Sequence, residues 1–255
     1  MPYLPENHMS KISRNLPQAI QERGYEIRTF MPRYGCINER RNQLHEVIRL
    51  SGMNLIIDDN DHQLIIKVAS IPSARVQIYF IDNEEYFQRK CVLQDEEGNY
   101  YPDNDERAIF FARGVVETVK KLRWSPELVH CHGWFSGLIA MYLKQVFAED
   151  PLFAGVKVVV SLYNEAFPGT LDTNVADKLK AEGVSGEALG FLGNPTYENV
   201  MKFIAAYADG AILAEEGVDE KVKGYFLGLG IPVLENTREE DYAEDYAAFY
   251  EKILA

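Results

Sequence analysis

Residues 127–138 read Glu127-Leu128-Val129-His130-Cys131-His132-Gly133-Trp134-Phe135-Ser136-Gly137-Leu138. The apolar run at 127–131 predicts a short strand, His132-Gly133 predicts a tight turn, and the residues from Trp134 to about Phe147 predict an amphipathic helix. His132 would then lie at the carboxyl end of a strand and the amino end of a helix. Ligands of open α/β sheets bind at this edge, and a helix amino end favours anionic groups. We therefore expect a small-molecule site at His132.

The rest of the chain extends this pattern of strand followed by helix. Downstream, the sequence predicts strands at 156–162, 210–214 and 231–234, and helices at 174–182, 197–208, 217–225 and about 239–254. Such alternation indicates a parallel sheet with helices on both faces. The sequence thus predicts one α/β domain over residues 1–255, with a Rossmann-like parallel sheet flanked by helices.

The amino-terminal part adds a region of a different kind. Apolar residues at helical spacing predict a helix that ends at Gly24, followed by a strand at 25–31; they are Met9, Ile12, Leu16 and Ile20. Four closely spaced β runs follow at 45–50, 54–58, 63–70 and 75–81, with a turn at Asp58-Asp59-Asn60-Asp61. This spacing predicts an inserted antiparallel β region. A polar segment with a short helix at 84–88 precedes a helix at about 103–122.

Composition limits the classes of partner. The 255 residues are 47% hydrophobic and 25% charged, with a net charge of −13, which argues against nucleic acid or an anionic membrane as a general partner. The sequence has no apolar run of membrane-spanning length, so we expect a soluble, cytoplasmic protein. Its three cysteines are widely spaced and indicate neither a disulfide framework nor a zinc site. We expect no metal and no cofactor.

Short motifs along most of the chain resemble one family. They are Leu16-Pro17-Gln18-Ala19-Ile20, Met31-Pro32-Arg33-Tyr34-Gly35, Val76-Gln77-Ile78-Tyr79-Phe80-Ile81-Asp82-Asn83, Tyr86-Phe87-Gln88-Arg89, Asp103-Asn104-Asp105-Glu106-Arg107, Val129-His130-Cys131-His132-Gly133-Trp134, Asn164 with Gly169, and Asn199-Val200-Met201-Lys202. In this order, they resemble the amino-terminal domain of bacterial glycogen and plant starch synthases. The resemblance implies the GT-B type of fold and a retaining glucosyltransferase.

The resemblance also implies roles for individual residues. His132 would be the catalytic-site residue that donates to a sugar hydroxyl or to backbone near the reacting centre. Trp134 would stack on a sugar ring, and Tyr163 and Asn164 would hydrogen-bond sugar hydroxyls at the same crevice. Asn7 falls in the loop that contacts the donor nucleotide sugar in the family, and we take it as a further substrate-binding candidate.

The sequence departs from the family pattern at several of these positions. The family loop Lys-Thr-Gly-Gly-Leu corresponds to Pro5-Glu6-Asn7-His8-Met9, which lacks the lysine and the glycines that suit phosphate binding. The usual His-Asp-Trp turn has Gly133 instead of aspartate, and the usual Thr-x-His-Asn strand end has Tyr163 instead of histidine. We also expect the family's first strand and its second domain to be absent from this sequence.

Structural alternatives exist for each candidate residue. His132 could simply hold the turn at the start of the helix, and His130 is better explained as a core histidine with satisfied hydrogen bonds. Trp134 lies beside an apolar stripe, where a tryptophan is more often core. Tyr163 and Asn164 could be ordinary strand-end residues. A metal site at His130-Cys131-His132 lacks further ligands in the sequence.

Three hypotheses for the function follow. In the first, the chain is part of a glucosyltransferase that transfers glucose from ADP-glucose to α-1,4-glucan and works with a separate carboxyl-terminal GT-B domain. In the second, it is a non-catalytic relative that binds glucan or regulates glycogen metabolism. A generic α/β nucleotide-binding protein is the third, and the lack of a Gly-rich phosphate loop argues against it. The altered donor loop and the expected absence of the second domain argue against independent hexosyltransferase activity.

Overall fold

The chain folds into two compact units, Met1–Leu122 and Arg123–Ala255. A computed structural model describes residues 3–71, 76–235 and 242–255. In the described residues, no helix is long and apolar enough to cross a membrane. That residues 1–255 act as one domain stays a prediction.

The first unit combines helices with a mixed sheet. In chain order its elements are α1 (His8–Gln21), β1 (Thr29–Pro32), β2 (His45–Glu46), β3 (Met53–Ile57), β4 (Asn60–Ile71), β5 (Val76–Asp82), α2 (Glu84–Phe87) and α3 (Asn104–Leu122). The strands are ordered β1-β5-β4-β2, and β3 also pairs with β4. Only the β1–β5 pair is parallel, which confirms the inserted antiparallel region.

Local sequence explains most of these elements. Asn7 caps α1, and the apolar residues Ile12, Leu16 and Ile20 are buried as the helical spacing predicts. Asp58 and Asp59 adopt left-handed φ angles of 49° and 61°, which aspartate tolerates, and they turn β3 into β4 as predicted.

Two strand predictions differ from the structure. The strand predicted at 25–31 begins only at Thr29 and includes Pro32, and these four residues pair with Ile78 to Ile81 of β5. The β run predicted at 45–50 is a strand for two residues, His45 and Glu46, and then turns through a Leu50 N–H to Val47 carbonyl hydrogen bond of 2.9 Å.

The second unit is a parallel α/β structure. Its elements are β6 (Leu128–His132), α4 (Gly133–Met141), β7 (Lys157–Leu162), α5 (Val175–Ala181), α6 (Tyr197–Ala205), β8 (Gly210–Leu213), α7 (Glu220–Gly228), β9 (Val233–Glu235) and α8 (Tyr242–Leu254). The four strands are parallel and lie in the order β6-β7-β8-β9. The predicted helix 134–147 continues past α4 as a π-helical turn at Tyr142–Val146. For the predicted final helix, residues 239–241 fall outside the described residues.

Helices cover both faces of this parallel sheet. Successive residues of a strand point to opposite faces. On β6, Cys131 lies against the backbone of Ala140 in α4, whereas the ring of neighbouring His130 contacts Tyr250 of α8. The α/β fold class with a parallel sheet between helices is therefore confirmed.

Candidate functional site

The carboxyl ends of β6, β7 and β8 lie side by side at one edge of the parallel sheet. His132 ends β6 and is in register with Ser161 of β7, and Leu162 is in register with Leu213 of β8. The polar residues that follow these strands therefore meet at this edge. Among the predicted site residues, His132, Tyr163 and Asn164 belong to it.

His132 and Tyr163 form a direct hydrogen bond. His132 Nδ1 lies 2.7 Å from Tyr163 Oη. Burial lowers the pKa of His132 to about 4, and burial also raises the pKa of Tyr163 well above its usual value, so both groups are neutral at pH 7. When the hydroxyl donates to Nδ1, the other ring nitrogen carries the proton and can donate to a ligand.

His130 lies beside His132 and has a structural environment. Their ring centroids are 4.0 Å apart. The His130 ring contacts the Tyr250 hydroxyl at 2.5 Å through Nδ1 and the Ser161 hydroxyl at 2.6 Å through Nε2. Because both ring nitrogens have protein partners, His130 supports the site rather than facing a ligand, as its strand position predicts.

Trp134 is a core residue in this structure. Its side chain is 1% exposed, and its ring packs at 5.1 Å from Phe167 and 5.4 Å from Phe135, measured between centroids. An indole covered in this way offers no free face to a sugar ring. The core alternative therefore describes Trp134 in this structure.

Asn164 and Asn7 occupy different surroundings. Asn164 is exposed, and its backbone N–H donates to Glu215 Oε2 at 2.9 Å, which ties the ends of β7 and β8 together. Asn7 belongs to the first unit, where its side-chain oxygen accepts from the Ser10 N–H at 2.7 Å and starts α1. A helix cap thus accounts for the oxygen of Asn7.

Glu165 is a functional candidate that the sequence analysis missed. Its Oε1 accepts a 2.7 Å hydrogen bond from the backbone N–H of Trp134, at the start of α4. The side chain is partly exposed, yet protein atoms surround it densely, and this burial with nearby Glu215 raises the pKa of Glu165 to about 8. A carboxylate just past a strand end, facing a helix amino end, is the signal that could have identified it.

A small acidic cleft lies near the ends of β8 and β9. It has a volume of about 170 Å³, and four carboxylate residues and one cationic residue are among those lining it: Glu215, Glu216, Glu220, Glu235 and Lys223. A phosphate would be repelled by this excess of negative charge. The cleft is therefore not a site for a nucleoside diphosphate.

Comparison with known proteins agrees with the motifs. Residues 2–232 match the family model of the starch synthase catalytic domain. A glycogen synthase of Chlorobium luteolum is 39% identical over 186 residues, covering 72% of this chain and 38% of the relative. A glycogen synthase of Pelodictyon phaeoclathratiforme is 34% identical over 231 residues, covering 89% of this chain and 47% of the relative.

A solved structure agrees at the level of the fold. The catalytic domain of starch synthase IV from Arabidopsis thaliana, bound to ADP and acarbose, matches with a TM-score of 0.70 and 16% identity, over 92% of this chain and 49% of that one. The chain thus spans about half, or less, of the length of these relatives. The resemblance seen in the sequence is confirmed, and the chain belongs to the starch synthase catalytic-domain family.

Proposed function

We propose that this chain provides the acceptor-binding part of a glucosyltransferase that transfers glucose from ADP-glucose to α-1,4-glucan. A donor domain, equivalent to the part of the relatives that this sequence does not match, would complete the active site. The observation that carries the proposal is His132, held by Tyr163 at the ligand-binding edge of the sheet in a chain of this family. A cytoplasmic location, where nucleotide sugars are used, belongs to the same proposal.

The chemistry of the edge suits sugar hydroxyls better than phosphate. Transfer from a nucleoside diphosphate develops negative charge on the leaving phosphate, which positive groups stabilise. At this edge His132 and Tyr163 are neutral, Glu165 with its pKa of about 8 is mostly protonated at pH 7, and Glu215 is an acidic neighbour, so none of these four groups supplies positive charge. The proposal therefore assigns the glucan and the reacting sugar to this edge, and it assigns the diphosphate to the donor domain.

The ligands of the solved relative support this division. The starch synthase IV structure is bound to ADP and acarbose. By analogy, we propose that the ligands of this chain also belong to these two classes, a nucleotide and a carbohydrate. His132 would then donate to a hydroxyl of the glucose nearest the reacting carbon, while Asn164, exposed beside it along the sheet edge, would contact a neighbouring hydroxyl.

A non-catalytic glucan-binding or regulatory relative is the second candidate function. Gly133 and Tyr163 replace the aspartate and histidine that are usual in the family, and the Asn7 oxygen is used to cap α1. These replacements favour loss of the reaction with retention of carbohydrate binding. Both candidates place glucan at the same edge.

Calorimetric titration separates the two candidates. The purified chain is titrated with ADP-glucose and, separately, with maltoheptaose. Both candidates predict that the chain alone binds maltoheptaose. The glucosyltransferase candidate also predicts that ADP-glucose binds, and that glucose is transferred, once the donor domain of a relative is added. Binding of maltoheptaose with neither ADP-glucose binding nor glucose transfer in the presence of that donor domain would favour the non-catalytic candidate. No heat with either ligand would contradict both.

A further inference from the structure

A carboxyl group from the loop after β7 lies against the turn between β6 and α4. Gly133 has a left-handed φ of +76°, and a Cβ atom placed on it would lie 2.5 Å from Glu165 Oε1 and 2.6 Å from Oε2. These distances are far below van der Waals contact. The Glu165 carboxylate therefore fills the space that a side chain at position 133 would enter.

The overlap matters because of the residue type that the family has at position 133. In the family this turn usually carries aspartate where the chain has Gly133. Position 133 has no carboxylate, and the carboxyl oxygens of Glu165, in the loop after β7, lie within 2.6 Å of where its Cβ would be. We propose that Glu165 supplies the carboxylate of this turn and that it binds a glucosyl hydroxyl beside His132. This proposal rests on the proposed function.

The hydrogen bonds of Glu165 leave one oxygen for a ligand. Oε1 accepts from the Trp134 N–H, which satisfies one of the unpaired donors at the start of α4. His132, the residue before the helix, makes no side-chain capping bond of its own. In the described part of the chain, Oε2 makes no hydrogen bond, and the side chain reaches solvent.

A carboxyl group in this position suits a sugar. Bound sugars are oriented by a few well-placed polar groups, and a hydroxyl can both donate and accept. An ionised Glu165 would accept through Oε2, whereas a protonated one would donate through it. Because Oε1 is held by the Trp134 N–H, the carboxyl group is fixed in orientation before the ligand arrives. His132, at the end of β6, and Glu165, in the loop after β7, would thus hydrogen-bond neighbouring hydroxyls of the same sugar.

The test moves the carboxylate back to the turn. Five proteins are compared by titration with maltoheptaose and with ADP-glucose, and by thermal unfolding: wild type, Glu165→Ala, Glu165→Gln, Gly133→Asp, and the double variant Gly133→Asp with Glu165→Ala. Aspartate is among the residues that tolerate left-handed φ angles, so the double variant can keep the turn. The two ligands show whether the hydroxyl belongs to the glucan or to the donor.

We expect Glu165→Ala to weaken binding of at least one ligand about tenfold, because one hydrogen bond to the sugar is lost. The double variant should recover most of that loss. Gly133→Asp alone should unfold at a lower temperature without tighter binding, because it forces two carboxylates into one space. Glu165→Gln keeps the side-chain shape and an oxygen for the Trp134 N–H, so it should bind better than Glu165→Ala.

Two results would overturn the proposal. If Glu165→Ala unfolds at a lower temperature but binds both ligands like the wild type, Glu165 is only a helix cap. If Glu165→Ala loses binding and the double variant does not recover it, a carboxylate on residue 133 cannot replace that of Glu165. The idea that the two positions supply the same ligand contact would then be wrong. A wild type that binds neither ligand would remove the proposed function itself, which is a different outcome from either of these.

Discussion

Burial keeps His132 neutral, and the hydroxyl of Tyr163, just past the end of the neighbouring strand, orients its ring. Replacing Tyr163 with phenylalanine removes the partner of His132 Nδ1 while keeping the buried ring. We expect Tyr163→Phe to lower the free energy of unfolding by about 1 kcal/mol, since a buried hydrogen bond is lost. Urea denaturation at pH 7 measures this change.

Tyr225→Phe is the matched control for that substitution. The Tyr225 ring contacts Phe191 and Lys202, but its hydroxyl makes no hydrogen bond to the described residues. Its removal should leave the free energy of unfolding nearly unchanged. Equal effects of the two substitutions would show that the Tyr163 hydroxyl contributes nothing specific at the site.

Glu165 makes stability depend on pH. Its folded pKa of about 8 lies above the ordinary value of 4.5. The unfolded chain therefore releases this proton more readily, and ionisation lowers stability as the pH rises from about 4.5 towards 8. Glu215 faces the group and adds repulsion, while neighbouring Tyr163 and Tyr197 have raised pKa values and stay neutral.

The substitution Glu165→Gln removes this titration. Between pH 6 and pH 9, we expect the wild type to lose stability relative to the glutamine variant, as measured by urea denaturation at each pH. If the two stability curves run parallel across this interval, Glu165 ionises normally and the environment described for it is wrong.

Part of the site could be predicted from single residues. A histidine between an apolar strand and a helix start pointed to the sheet edge, and Tyr163 and Asn164 followed from the next strand end. The position of Glu165 just past a strand end was available in the sequence, but its hydrogen bond to the Trp134 N–H joins residues 31 positions apart and depends on strand register. Burial of Trp134 likewise depends on Phe167, a residue beyond β7.

At the level of elements, α4 and α6 approach closely at a glycine. A Cβ atom on Gly137 would lie 2.6 Å from Ile204 Cδ1. In an open helix, replacing glycine with alanine stabilises by about 0.5–1 kcal/mol, because the helix loses less backbone entropy. We expect Gly137→Ala to lose this gain and to destabilise the protein, because the new methyl group overpacks the contact.

Gly224 in α7 provides the comparison. It is also inside a helix, it is exposed, and a Cβ atom there would meet no atom within 4 Å. Gly224→Ala should therefore raise the midpoint of thermal unfolding, while Gly137→Ala lowers it. A similar gain from both substitutions would contradict the packing of α4 against α6.

Periodicity predicted these helices and strands well where one face is buried. The apolar spacing in α1 and the aspartates of the β3–β4 turn gave the right structures. The limits of two strands were predicted wrongly: β1 pairs with β5 only from Thr29 to Pro32, and the chain leaves the β2–β4 pairing after Glu46 to form a turn at 47–50. The local sequence pattern does not show where such strands begin and end.

Charges buried in the first unit were also beyond the reach of the sequence analysis. Asp82 has no exposed surface, and Lys67 Nζ lies 2.9 Å from its Oδ2 and 2.6 Å from Glu39 Oε1. Three distant segments thus meet in one ion-pair group, which Arg33 joins. The motifs contain Arg33 and Asp82, but only the fold shows that these two side chains lie close together.

At the scale of the whole molecule, the substitution Lys67→Met tests how much the ion-pair group of Lys67, Asp82 and Glu39 contributes to the free energy of unfolding. It would leave the fully buried Asp82 without its closest cation, which is costly in a low-dielectric interior. We expect a loss of about 3 kcal/mol or more in the free energy of unfolding. Lys90→Met is the control, since Lys90 pairs with Glu96 on the exposed surface and should contribute less than about 1 kcal/mol. Equal losses would contradict the burial of the group.

At this scale, the proposed function requires carbohydrate to reach the sheet edge at His132. The chain has five histidines, so ¹⁵N-labelling of histidine gives a small set of ring signals that can be assigned by single substitutions. His45 is exposed on β2 and serves as the internal reference.

The most direct measurement is a titration of the labelled protein with maltoheptaose, followed by ADP-glucose, with the histidine ring signals observed by NMR at pH 7. We predict that the His132 signals shift saturably with at least one ligand, while the His45 signals stay in place. Saturable binding by calorimetry with unmoved His132 signals would place the carbohydrate elsewhere and contradict the account of this site.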